Sequence, residues 1–140
     1  MRGLKAAGVA ALLALVVSCG GKGAAPSPAT FTETFTGTVT QGGTSFGDGN
    51  RNHFTVRQSG RITATITRLS PTSTITIGLG LGVFNSATAT CSLQNFADAA
   101  KLNLSLNSEA ATGGEFCVAV YDVGDIHDTS IDYTVTVVHT

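Results

Sequence analysis

From Thr30 onward the chain alternates polar and apolar residues with a period of two. Across residues 30–40 every even position is threonine, while Phe31, Phe35 and Val39 share the other face with Glu33 and Gly37. Successive side chains of a strand point to opposite sides of its sheet, so this pattern predicts a strand with one face buried and one in water. The alternation returns at Phe54/Val56, at Ile62/Ala64/Ile66 against Thr63/Thr65/Thr67, and at Ile75/Ile77/Leu79/Leu81/Val83 against Thr76/Gly78/Gly80/Gly82. It returns again at Leu102/Leu104/Leu106, Phe116/Val118/Val120 and Tyr133/Val135/Val137. Turn formers separate the runs: Gly42-Gly43, Gly47-Asp48-Gly49-Asn50, Ser59-Gly60, Ser70-Pro71, Asn85-Ser86, Gly113-Gly114 and Gly124-Asp125. No sustained 3.6-residue period follows residue 18, and residues 93–102 are expected to hold at most a short turn of helix. About seven or eight short strands in residues 30–140 imply an all-β domain, an antiparallel β-sandwich of two sheets.

The run Ile77-Gly-Leu-Gly-Leu-Gly-Val83 places three glycines on one strand face. Interior strand glycine marks a place where something approaches the backbone closely. Close packing within the protein, with the glycine face of a central strand under a neighbouring loop, is the more ordinary cause. A shallow groove that accepts a ligand or an aromatic ring is the alternative.

The N-terminal region follows a different pattern. Arg2 and Lys5 precede the apolar run Ala10-Ala11-Leu12-Leu13-Ala14-Leu15-Val16-Val17-Ser18, which ends at Cys19. The run is shorter than the ~20 apolar residues of a spanning helix and has the layout of an export signal. Val16-Val17-Ser18-Cys19 resembles the lipobox of bacterial lipoproteins. The resemblance implies that residues 1–18 are a signal helix removed on export. It also implies that the Cys19 thiol carries a diacylglycerol, with palmitate-type acylation, and begins the mature chain. Residues 19–29, with Pro26-Ser27-Pro28, then read as a flexible tether. Gly20 stands where well-known Gram-negative systems use aspartate to retain lipoproteins at the inner membrane. Placement in the bacterial envelope, at the outer membrane or cell surface, is expected.

Loss of residues 1–18 leaves 122 residues, enough for one domain. It also leaves 6 basic residues against 9 acidic, a net charge of −3. No basic cluster is present, which argues against nucleic acid as a partner, because phosphate binding depends on Lys and Arg. Charged residues make up only 12%, so solubility falls to hydroxyls, and the chain has 21 threonines to supply them.

Several runs together resemble the bacterial pre-peptidase C-terminal domain. They are Phe35-Thr-Gly-Thr-Val39, Asn52-His53-Phe54-Thr-Val56, Ser59-Gly60-Arg-Ile62-Thr-Ala-Thr-Ile66, Gly113-Gly-Glu-Phe116-Cys-Val118-Ala-Val120-Tyr-Asp122 and Asp132-Tyr133-Thr-Val135-Thr-Val137. Phe116 stands where that family usually has Tyr, and Tyr133 matches. The resemblance implies a jelly-roll-like sandwich that is non-catalytic, in a family whose members include binders of polysaccharide, collagen or calcium. No accompanying enzyme is expected here.

Once Cys19 is acylated, Cys91 and Cys117 remain, and an even pair in an exported domain favours a disulfide. Cys117 lies on the face opposite Phe116/Val118/Val120, so the bridge is expected outside the main core. A nucleophilic cysteine would instead need a nearby base. Asp122, Asp125, Asp128 and Asp132 gather around His127 between two expected strands. Calcium takes six to eight oxygen ligands and such a loop can wrap it, although the EF-hand spacing is missing and zinc would need more His or Cys. A solvated hairpin is the more ordinary outcome, since Asp and Gly are common turn formers. No other cofactor is expected.

Asp48-Gly49-Asn50-Arg51-Asn52 reads as a turn, and the Asn103-Leu-Ser105 glycosylation pattern does not suit a lipobox. No Gly-x-Ser-x-Gly, His-Glu-x-x-His or phosphate-loop motif occurs. A dispersed triad of His127, Asp122 or Asp128 and a serine is the hydrolase alternative. His53 and His139 sit at strand ends, where exposure is expected. With no Trp, Tyr121 is the one ring expected to be exposed for sugar stacking. A non-catalytic, membrane-anchored interaction module is therefore the leading expectation, with an envelope protein or polysaccharide as partner. Calcium-dependent adhesion or polysaccharide binding is the alternative.

Overall fold

Eight strands carry the alternating runs in a computed structural model that describes residues 25–44, 52–127 and 130–140. They are β1 (Phe31–Val39), β2 (His53–Val56), β3 (Gly60–Ser70), β4 (Ile77–Asn85), β5 (Thr90–Ala100), β6 (Ser105–Ala110), β7 (Gly114–Tyr121) and β8 (Ile131–His139). One sheet has the order β1-β8-β3-β6 and the other β2-β7-β4-β5, with every pairing antiparallel. Apart from the β4–β5 hairpin, each connection crosses from one sheet to the other. That order is the jelly roll, a sandwich in which both sheets turn their apolar faces inward. The expectation of an antiparallel β-sandwich holds. The signal helix, Cys19 and most of the tether lie outside the described residues.

The core follows from the period of two. Ile62, Ala64 and Ile66 of β3 meet Ile77, Leu79 and Leu81 of β4, Val118 and Val120 of β7, and Tyr133, Val135 and Val137 of β8 in one buried cluster. Each large aliphatic side chain hidden this way contributes about 1.5–3 kcal/mol. A bulge between Ile66 and Arg68 shifts the register on β8, so that Leu69 is buried and Arg68 stays outside. One extra residue is enough to exchange the two faces. β1 and β8 pair without interruption from Phe31↔His139 to Val39↔Ile131. Gly37 matters within that ladder because a Cβ there would sit 2.8 Å from Cζ of Tyr133. The missing side chain admits the phenol, whose oxygen accepts a hydrogen bond from buried Asn52 Nδ2 at 2.8 Å.

Three expectations need correction. Residues 93–100 belong to strand β5 rather than a helical turn. β5 is an edge strand whose register against β4 slips twice, between Ile77 and Leu79 and between Leu81 and Gly82. Its side chains are mostly exposed, which erases the alternation. Val83 leaves the apolar face and is 38% exposed, because it lies beyond the end of the packed cluster. Leu102 and Leu104 lie in the turn before β6 but still pack against the core.

The glycine face of β4 is filled by the protein itself. A Cβ at Gly78 would strike the Tyr121 ring, and one at Gly80 would strike the Leu93 side chain. At Gly82 it would meet the backbone of Ser92 and Leu93. β4 is an interior strand, as close packing requires, and its cover comes from β5 and β7 rather than from a loop.

Candidate functional site

The two ends of the sandwich carry different chemistry. At the end where β1 begins and β8 finishes, the backbone N–H of Arg57 donates to the Thr140 carbonyl at 3.1 Å, closing one sheet on the other. A cleft of about 440 Å³ opens there between the edge strands β1 and β2. Phe31, Glu33, Thr55, Arg57 and the two histidines His53 and His139 line it, with buried Phe54 beneath. His139 is only 2% exposed. Its Nε2 lies 3.0 Å from Glu33 Oε1, and its ring packs on Phe31 and Phe54 with centroids at 5.8 and 5.1 Å. The Arg57 guanidinium stands over the Phe31 ring, 4.7 Å from its centroid, a favourable cation–π position.

Exposure of the strand-end histidines, expected above, does not hold. His139 is in phase with Val135 and Val137 and follows them into the sandwich. His53 is half-buried and stacks flat on Phe84, with ring centroids 4.4 Å apart and 4° between the planes. Its Nδ1 is buried with no hydrogen-bond partner among the described residues. The Glu33–His139 pair was missed in the sequence, although a signal existed: each is a polar residue standing in the apolar phase of its strand. What joins them is register across 106 positions of chain.

At the opposite end, the loop after β7 holds Asp122 and Asp125, and Asp132 follows at the start of β8. Asp122 anchors the backbone. Its Oδ1 accepts N–H bonds from Gly124, Asp125 and Ile126, and its Oδ2 accepts the Gly42 N–H at 2.8 Å. Asp125 accepts the Thr76 N–H at 2.8 Å, and Asp132 accepts the Thr38 hydroxyl at 2.6 Å. The three carboxylates thus serve three different segments. Among the described residues no three His, Cys, Asp or Glu side chains gather to hold a metal ion. Asp128 lies outside the described residues, as do residues 45–51, which include most of the turn from Asp48. His127 lines a shallow cleft of about 320 Å³ with Asp125, Thr72 and Thr74.

The Gly42 amide, with those of Gly124, Ile126 and Asp125, holds the Asp122 carboxyl below the usual carboxylate range, against a smaller opposing effect of burial. The N–H bonds exist only in the folded state, so the unfolded chain protonates Asp122 first as pH falls. The stabilisation is complete above the unfolded value of about 3.9 and is lost as pH drops through the lower folded value. Urea midpoints at pH 6 and pH 2 should therefore differ more for the native chain than for Asp122→Asn, and equal differences would refute the anchoring role.

Tyr121 is not the exposed ring expected above. It lies over Gly78 and donates its hydroxyl to Asp98 at 2.6 Å. Burial, then the hydrogen bond and charge of Asp98, push its pKa up to about 12.

Cys91 and Cys117 form a disulfide, with Cα atoms 5.9 Å apart. It joins β5 to β7 across β4 on the outer face of the sheet. Cys117 is fully buried there but stands apart from the main core cluster, as expected. No protein-family model and no curated protein matches the chain.

Proposed function

We propose that the chain is a lipid-anchored module of the bacterial cell envelope whose β-sandwich serves interaction rather than catalysis. One observation carries this: the disulfide consumes two of the three cysteines and leaves Cys19 alone at the lipobox-like position. A disulfide also suits an oxidising compartment outside the cytoplasm. The likeness to the pre-peptidase C-terminal domain, a non-catalytic accessory fold, points the same way. In this reading the acyl chains on Cys19 hold the module at the outer membrane or cell surface, because Gly20 supplies no inner-membrane retention signal. From Cys19 to Phe31 the chain reaches at most about 40 Å when extended, so the domain stays close to the bilayer. The end of the sandwich where β1 begins is then the membrane-proximal one. The loop of Asp122 and Asp125 faces away, toward an envelope protein or polysaccharide.

The test is the mass of the N-terminal peptide from protein expressed in a bacterial host. A diacylated Cys19 at the N-terminus is expected, together with membrane fractionation that Cys19→Ser abolishes. An unmodified Cys19 in an uncleaved, cytosolic chain would overturn the proposal.

A further inference from the structure

The cleft between β1 and β2 has a composition unusual for this charge-poor protein: one guanidinium and one carboxylate at the same opening. Among the described residues no carboxylate pairs with Arg57; its side chain is held by the Phe31 ring instead. Glu33 is tied through Oε1 to His139, its side chain 39% exposed, and no other hydrogen bond holds it among the described residues. A planar guanidinium with unused N–H groups is suited to bidentate capture of a phosphate or carboxylate. A carboxylate with a free oxygen is suited to an ammonium. The cleft volume lies within the range of small-molecule sites, about 300–1,000 Å³.

We infer that this cleft binds a zwitterion in which a phosphate is joined by a short link to a primary ammonium, the chemistry of an ethanolamine headgroup. Arg57 takes the phosphate and Glu33 the ammonium, while His139 fixes the Glu33 carboxylate from behind. The primary ammonium is favoured over a quaternary one because its three N–H donors match a carboxylate acceptor. A quaternary group would need open aromatic faces, and the Phe31 face already holds Arg57.

Position argues for a lipid as the source. Arg57 and Phe31 also line a neighbouring cleft formed with Pro26, Ala29, Gln58 and Thr140, so the guanidinium stands where the tether joins the domain. The choice of a lipid rests on the anchored reading above; the zwitterion site itself does not.

The test uses the full chain carrying Cys19→Ser, titrated with O-phosphoethanolamine while the ring signals of His53 and His139 are followed by NMR. Saturable shifts are expected. Arg57→Gln and Glu33→Gln should each weaken binding by about tenfold or more, and Arg57→Lys, which keeps charge without the fork, should fall between. Inorganic phosphate, ethanolamine and phosphocholine should each bind more weakly by a similar factor. Equal binding by any of the three, or an unchanged Arg57→Gln, overturns the assignment. Because Glu33→Gln retains an oxygen for His139, it separates loss of the ammonium partner from loss of folding, which amide NMR spectra check directly. Vesicles with and without phosphatidylethanolamine then identify the source. Binding only to the former supports the lipid, and binding of the soluble probe alone upholds the site for a soluble zwitterion. Acylated Cys19 in native protein with no response to either probe overturns this inference and leaves the anchor intact.

Discussion

Removing the Cys91–Cys117 bridge, by reduction or as Cys91→Ala with Cys117→Ala, lowers the unfolding free energy by about 3.5 kcal/mol. The figure is the loop-closure entropy that the bridge removes from the unfolded chain, for cysteines 26 positions apart. For a domain of this size it corresponds to a fall in melting temperature on the order of 10–20 °C. The effect should be uneven. β5 pairs only with β4, its register slips twice, and the bridge is its one covalent tie to β7. Amide exchange should therefore accelerate first in β5, while β8, paired on both sides by β1 and β3, keeps its protection. Thermal melts with and without dithiothreitol check the magnitude. An unchanged midpoint after confirmed reduction would show that the unfolded chain gains nothing from release.

Gly82→Ala should cost about 3 kcal/mol, the upper part of the range for overpacking. The added methyl meets the backbone of Ser92 and Leu93, which cannot swing aside as a side chain can. Gly80→Ala is the internal comparison, because its methyl meets only side-chain atoms of Leu93, the two Cδ at 2.7 and 2.8 Å and Cγ at 3.3 Å. It should cost about 1 kcal/mol. Gly82→Ala also pushes β5 away from the face that the bridge crosses, so free thiol should rise in that variant and stay low in Gly80→Ala. Equal urea midpoints for the two variants would mean that β5 shifts freely over β4, contrary to the close approach at Gly82.

Several strands could be read directly because their neighbours are uniform. β1 and β8 lie in an uninterrupted ladder, one face in water and one in the core, so each residue reports its side by parity. β4 was legible for a related reason: its glycines occupy every second position, and only a close approach tolerates them. β5 was not, because an edge strand with two slips has no constant phase and an exposed Phe96 obeys no burial rule. The acidic loop was found by composition, but the backbone groups that its carboxylates hold were not. Asp122 looks like a ligand in one dimension and serves as an acceptor for four backbone N–H groups in three.

The linear chain by itself carries the two-residue period, the turns that cut it and the cysteine count. These are local properties, and they set the all-β class and the bridge. Folding alone put Glu33 against His139, Arg57 over Phe31 and Tyr121 over Gly78. Each of those meetings depends on which strands become neighbours and in what register. Parity along a strand assigns a side chain to a face; it holds no information about which distant residue shares that face.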